Sequence, residues 1–240
     1  MRKILITNDD GITADGIVRL ARAAARLGEV WVVAPDHQCS AMSHRITLTS
    51  PIDVHRVDFP VEGVHAYSAT GTPADCVRFG ILNIVKDRPD AVLSGINFGY
   101  NCGSDIQYSG TAAAALEGAS AGVHSIALSE GANGVHEVTD AYLEQILDEL
   151  IDRPLGHNRI WNVNFPECPI ADFRGILRDR RVAKDAFYID RYAEEPLPDG
   201  GIRLRVDGEY HEVAEEGTDF RASVDNYISI GVVKNVGDDN

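Results

Sequence analysis

The chain opens on a continuous apolar run, "KILIT" at residues 3–7, that stops at "NDDG". A run without polar alternation predicts a strand buried on both faces, as in a parallel sheet. "ADGIVRLARAAARLG" then repeats apolar residues at helical spacing and ends on Gly28, and "EVWVVAP" reads as a second buried strand closed by Pro35. Together these make one βαβ unit. The alternation continues with a helix over "TPADCVRFGILNIV", a strand at "DAVLSGIN", a small-residue helix at "GTAAAALEGASAG" and a strand at "SIALSE". A helix around "TDAYLEQILDELI" and a strand at "RIWNVNFP" follow. The predicted fold class is therefore α/β, a three-layer α/β/α arrangement around a mostly parallel sheet, with ligands expected at the carboxyl ends of the strands. From about Arg174 the pattern changes: "LPDGG" and "VDGE" separate polar, strand-like stretches such as "IRLRV". This predicts a β-hairpin arm over 174–213 on a single domain whose core spans 1–170, with 214–240 returning to that core.

Composition narrows the function. A formal charge of -15 over 240 residues argues against a non-specific nucleic-acid binder or a binder of anionic membranes, so no nucleic-acid or membrane partner is expected. An anionic substrate would need a cation beside it. Cys39, Cys76, Cys102 and Cys168 show no zinc-type spacing and make no disulfide scaffold, which fits a reducing cytoplasm. The apolar "ILI" is far shorter than a signal core, and the expected location is cytoplasmic.

The strand ends carry the candidate chemistry. They read "NDDG", "APDHQCSAMS" and "SGINFGYNCGSD", each placing Asn, Asp or Ser beside Gly or Pro where such a fold presents its loops. Two carboxylates with a hydroxyl and an amide oxygen are hard donors that suit Mg²⁺ or Mn²⁺, whereas zinc would call for His and Cys. "YSGTAAAALEG" puts Ser109, Gly110 and Thr111 at the start of a helix. Amides there bind phosphate well, although Ser or Thr in that position is also an ordinary N-cap.

Five ordered blocks, "ITNDDG", "VVAPD" followed by Ser40, "GTPADC", "SGINFGYNCG" and "YSGTAAAALEG", resemble the signature of the SurE family of survival-protein nucleotidases. The resemblance weakens toward "WNVNFP" and "TDFRASVDNYISI", and Tyr100 stands where proline is common. It implies a Rossmann-like core, one divalent cation per subunit, and hydrolysis of nucleoside 5′-monophosphates, with 3′-monophosphates or short polyphosphate as side substrates. It places the metal on Asp9, Asp10, Ser40 and Asn97; beside it, Asn8, Asn101, Ser109, Gly110 and Thr111 are expected to hold the phosphate oxygens by side-chain and backbone donors. Asp9 and Asp10 are the implied catalytic pair, Asp9 orienting or deprotonating the attacking water. A homodimer or homotetramer is expected.

Other readings set the tests. "DDG" after a strand is also a common turn, and "GTPADC" reads as structural, with Thr72 capping a helix, Pro73 in its first turn and Asp75 favourable to its dipole. A receiver-type signalling domain would need an acceptor Asp where "DAVLSGIN" ends in Asn97, and a dehalogenase-like phosphatase would need DxD where the acids are adjacent. The remaining alternative is a non-catalytic nucleotide- or phosphate-binding module.

Overall fold

A computed structural model describes residues 1–184, 186, 188–211 and 213–237, so the last three residues of the segment expected to return to the core lie outside the described residues. The first unit is as the pattern predicts: β1 (Lys3–Thr7), α1 (Asp15–Ala24) and β2 (Glu29–Pro35). Helix α1 buries Ile17, Leu20, Ala21 and Ala24 on one face, and side chains such as Ile17 and Leu20 each contribute about 2 kcal/mol by leaving water. Two short strands that the periodicity does not reveal, β3 (Val54–Arg56) and β4 (His65–Ala69), come next. Helix α2 (Pro73–Phe79) opens with a capping box in which Thr72 and Asp75 satisfy each other's backbone amides, and a π-helical turn over Gly80–Ile84 follows it. Then come β5 (Ala91–Phe98), α3 (Gly110–Ser120), β6 (His124–Glu130), α4 (Glu137–Leu150) and β7 (Arg159–Phe165).

Among the described residues the main sheet has nine strands. Strands β4, β2, β1, β5, β6 and β7 run parallel in that order, with β3 antiparallel at one edge. At the other side the chain adds β8 (Gly175–Arg180) and β13 (Tyr227–Lys234), with β13 inserted antiparallel to β7 and parallel to β8. One hydrophobic cluster joins α1 and α4 to one face of the sheet, and a second, around Val33, Val77, Val92 and Ala114, lies under α2 and α3 on the other. The result is the expected three-layer α/β/α architecture. Helix α3 lies close to the sheet because its buried residues are nearly all alanine, glycine or threonine.

Within the span expected for the arm, β8 belongs to the main sheet because its side chains are mostly half-buried there. The hairpin proper is β9 (Tyr188–Ile189), β10 (Tyr192–Pro196), β11 (Ile202–Val206) and β12 (Glu209–Tyr210), with β10 pairing β11 and β9 pairing β12. Helix α5 (Asp219–Val224) leads from it into β13. Among the described residues no helix is long and apolar enough to cross a membrane.

Candidate active site

Asn8, Asp9 and Asp10 begin where β1 ends, at the carboxyl edge of the parallel strands, and Asn8 and Asp9 are buried. The two carboxylates diverge. Asp9 turns toward α3: its Oδ1 accepts the Thr111 hydroxyl at 2.5 Å and its Oδ2 the Thr111 amide at 3.2 Å. A Cβ on Gly110 would stand 2.8 Å from Asp9 Oδ2, so only glycine lets the helix start this close to the carboxylate. Asp10 turns the other way and accepts the Phe98 amide at 3.0 Å.

The other strand ends are tied to this pair. The Cys39 amide donates to the Asp9 carbonyl at 2.7 Å, which fastens the loop after β2 to β1 one residue before Ser40. Gln38 hydrogen-bonds the Asp10 carboxylate and donates through Nε2 to Ser40 Oγ at 3.1 Å. One amide therefore spans Asp10 and Ser40, a role that nothing in the sequence around Gln38 announces. Asn97 lies at a break in register between β5 and β6, where the pairing shifts between Ser94 and Asn97. Gly95 makes that break possible: its φ is +137°, and a Cβ there would meet the Leu128 carbonyl oxygen at 2.2 Å. Asn97 Nδ2 donates to the Gly99 carbonyl at 2.7 Å, which leaves Oδ1 as the acceptor end of the amide.

The groups expected to hold phosphate are engaged with the protein. Asn8 Nδ2 donates to the Gly11 carbonyl at 2.9 Å, while its Oδ1 is buried without a protein partner. Ser109 Oγ accepts the Ala112 amide at 2.9 Å, the N-cap alternative, and Thr111 serves Asp9. Asn101 is buried in an amide network: Nδ2 donates to Ser129 Oγ at 2.8 Å, and its own amide donates to Asn164 Oδ1 at 2.8 Å. Its carbonyl accepts from Asn162 Nδ2 at 2.9 Å and Asn164 Nδ2 at 3.1 Å. Asn162 and Asn164 alternate on one face of the buried β7, and "NVN" inside an apolar run is the signal that would have found them.

Electrostatics set this loop apart. Burial pushes the Asp9 carboxyl up to about 6, and the neighbouring Asp10 charge adds to it, against the lowering effect of Thr111. Burial also raises Asp10, and the charge acting on it from outside the pair, Glu130, is again negative. Glu130 ends β6, and its Oε1 faces Arg19 and His136, the latter at 3.0 Å, whereas Oε2 is buried without a partner. Among the described residues no group of three or more His, Cys, Asp and Glu side chains is placed to hold a metal ion. Cys39 and Cys76 are pushed up by burial and make poor nucleophiles.

A mostly parallel α/β sheet with adjacent carboxylates at the end of its first strand and a helix start beside Asp9 places the chain among Rossmann-like proteins, which carry their ligands at that edge of the sheet. The family model "Survival protein SurE" matches residues 4–186. A protein named 5′-nucleotidase SurE from Thermosipho melanesiensis is 38% identical over 230 residues, covering 95% of this chain and 89% of the relative. The protein of that name from Clostridium botulinum is 38% identical over 233 residues, covering 95% and 90%. The crystal structure of a SurE protein from Aquifex aeolicus superimposes with a TM-score of 0.83 at 34% identity, over 98% of this chain and 95% of that one. The chain belongs to the SurE family.

Proposed function

We propose that this protein is a metal-dependent phosphomonoesterase that hydrolyses nucleoside 5′-monophosphates to nucleoside and phosphate. The observation that carries the reading is the adjacent Asp9–Asp10 pair, Asp9 buried and Asp10 half-buried, with both carboxyls pushed up and only negative neighbours adding to the effect, in a family whose named relatives are 5′-nucleotidases.

The donor set fits a hard divalent cation, Mg²⁺ or Mn²⁺. Asp9 and Asp10 would supply the charge, and Ser40 Oγ and Asn97 Oδ1 the neutral oxygens. When bound, such a cation neutralises phosphoryl charge and makes a coordinated water more acidic. Asp9 Oδ2, held only by the longer bond from Thr111, orients the attacking water and takes its proton. Of the residues expected at phosphate, the Ser109 hydroxyl, the Gly110 amide and the positive end of the α3 dipole face charge that spreads over the phosphoryl oxygens, while Asn8, Asn101 and Thr111 give their donors to the protein and hold the surrounding loops and Asp9 in place. The P–O5′ bond breaks, the nucleoside leaves with a proton, and phosphate keeps the oxygen from water. Side activity on 3′-monophosphates or short polyphosphate is compatible with a grip centred on phosphate.

Phosphate release from a panel of nucleoside monophosphates with Mg²⁺ or Mn²⁺, repeated in EDTA, tests this: release that EDTA abolishes is expected. No release from any monoester would leave a non-catalytic nucleotide-binding module. The four cysteines are free and buried, in keeping with a cytoplasmic protein. A homodimer or homotetramer built through the arm completes the proposal. Ile202, Leu204 and Val206 stand exposed on one face of β11 with Tyr192 across from Val206, and an isolated two-stranded hairpin is marginal alone. Leu204→Glu combined with Ile202→Glu should shift the mass measured by light scattering toward the monomer.

A further inference from the structure

We propose that a cavity between the root of the arm and the core is the subsite for the nucleobase of the substrate, a reading that rests on the nucleotidase function above. The cavity holds about 300 Å³, at the small end of the range for small-molecule sites. Its walls come from the chain just beyond β5 (Gly99, Tyr100), β6 (Asn133) and β7 (Glu167), the same end of the sheet that carries Asp9 and Asp10, and it is closed by Tyr210, His211 and Phe220. Gly99 follows Asn97 by two residues and Tyr100 directly precedes Asn101. With about 3.8 Å between successive Cα atoms, the cavity wall starts within about 8 Å of Asn97. The cavity thus adjoins the strand ends that carry the candidate site, with Asn97 and Asn101 flanking its Gly99–Tyr100 wall in the chain.

The chemistry of the walls selects the neutral, planar end of a nucleotide. Among the described residues no Lys or Arg lines the cavity, so its walls offer no positive charge to phosphate. Its polar groups are engaged: the Glu167 amide donates to the Tyr100 hydroxyl at 2.8 Å, the Asn133 amide to Glu167 Oε2 at 3.0 Å, Asn133 Nδ2 to the Glu167 carbonyl at 2.9 Å, and His211 Nε2 pairs with the Ala186 carbonyl at 2.7 Å. The other walls are apolar, Gly99, Ala132 and Val224 beside the rings of Tyr210, His211 and Phe220. His211 packs edge-on against Phe220 with centroids 5.7 Å apart, and Tyr210 against Tyr188 at 5.1 Å. Phe220 and Tyr100 belong to a small apolar cluster with Cys102, separate from the cores on the two sheet faces. A site that grips by ring faces accepts any base, so purine and pyrimidine monophosphates are both expected as substrates.

Tyr210 is 70% exposed, so its truncation tests the subsite without emptying the core. Two measurements are made on wild type, Tyr210→Ala and Tyr210→Phe: calorimetric titration with adenosine, which carries no phosphate, and kcat/KM for AMP, CMP and glycerol phosphate, which carries no ring. Adenosine should bind wild type, about tenfold more weakly in Tyr210→Ala, and normally again in Tyr210→Phe. KM for AMP and CMP should rise about tenfold more than KM for glycerol phosphate. Absence of adenosine binding to wild type, equal binding in all three proteins, or equal losses on all three phosphates would overturn the subsite. Adenosine binding that depends on Tyr210 in a protein that releases no phosphate would support the subsite and reject the enzyme.

Discussion

Asp9 and Asp75 are each 3% exposed and each sits at the end of a regular element, yet their surroundings move them in opposite directions. Asp75 accepts the Thr47 amide at 2.9 Å, the Thr47 hydroxyl at 2.7 Å and the Thr72 amide at 3.1 Å, and although burial opposes it these bonds hold its carboxyl below the usual range. Asp9 receives two bonds from Thr111, but burial and the charge of Asp10 outweigh them and hold it up at about 6. The difference separates structure from site. A carboxylate whose charge is met by the protein's own donors serves the fold; one left wanting positive charge serves a ligand.

The largest test of that contrast is Asp9→Asn. It should lower kcat for a nucleoside monophosphate by about a thousandfold or more, because the acceptor of the water's proton is gone. Stability in metal-free buffer should change by less than about 1 kcal/mol, since a buried charge is removed while one bond from Thr111 is given up. Asp75→Ala should behave in reverse: loss of the capping box and of both Thr47 bonds costs about 2–4 kcal/mol in urea unfolding, with kcat of the folded fraction largely retained. An Asp75→Ala protein as stable as wild type would break the comparison.

Titration gives a third, smaller effect with opposite signs at the two residues. The raised Asp9 holds a proton in the folded state that the unfolded chain has given up, so between pH 4 and about 6 rising pH works against the metal-free fold, by on the order of 3 kcal/mol in total. A cation bound to the ionised pair restores that loss. The rise in Tm on adding Mn²⁺ should therefore be larger at pH 7.5 than at pH 5, with affinity falling by up to tenfold per pH unit below about 6. The lowered Asp75 contributes stability at neutral pH that disappears as pH falls through its depressed pKa. Removing it should accordingly flatten the acid limb of the stability curve.

Much of this was legible in the chain. The buried strands β1, β2, β5 and β6 announced themselves by unbroken apolar runs, and α1 by its period. The cap at Thr72–Asp75 was readable because every partner in the box lies within three residues. The short strands β3 and β4 were not, because "VHR" and "HAYSA" are too brief and too mixed to show a period. For the site, the residue types and their place at strand ends were visible, whereas their partners were not: Gln38 looks like any loop glutamine until it spans Asp10 and Ser40.

The sequence by itself determined the strands and helices of the repeating β-α units, though not the short β3 and β4, that two acids follow the first strand, and that the chain bears the marks of its family, since each of these is written in local spacing. Only the tertiary structure decided that Asp9 faces Thr111, 102 residues away, that Asn101 is held by Asn162 and Asn164 of β7, and that β13 enters the sheet between β7 and β8. Those pairings join segments far apart in the chain, and their energy arises from burial and hydrogen bonding that exist only once the sheet has assembled.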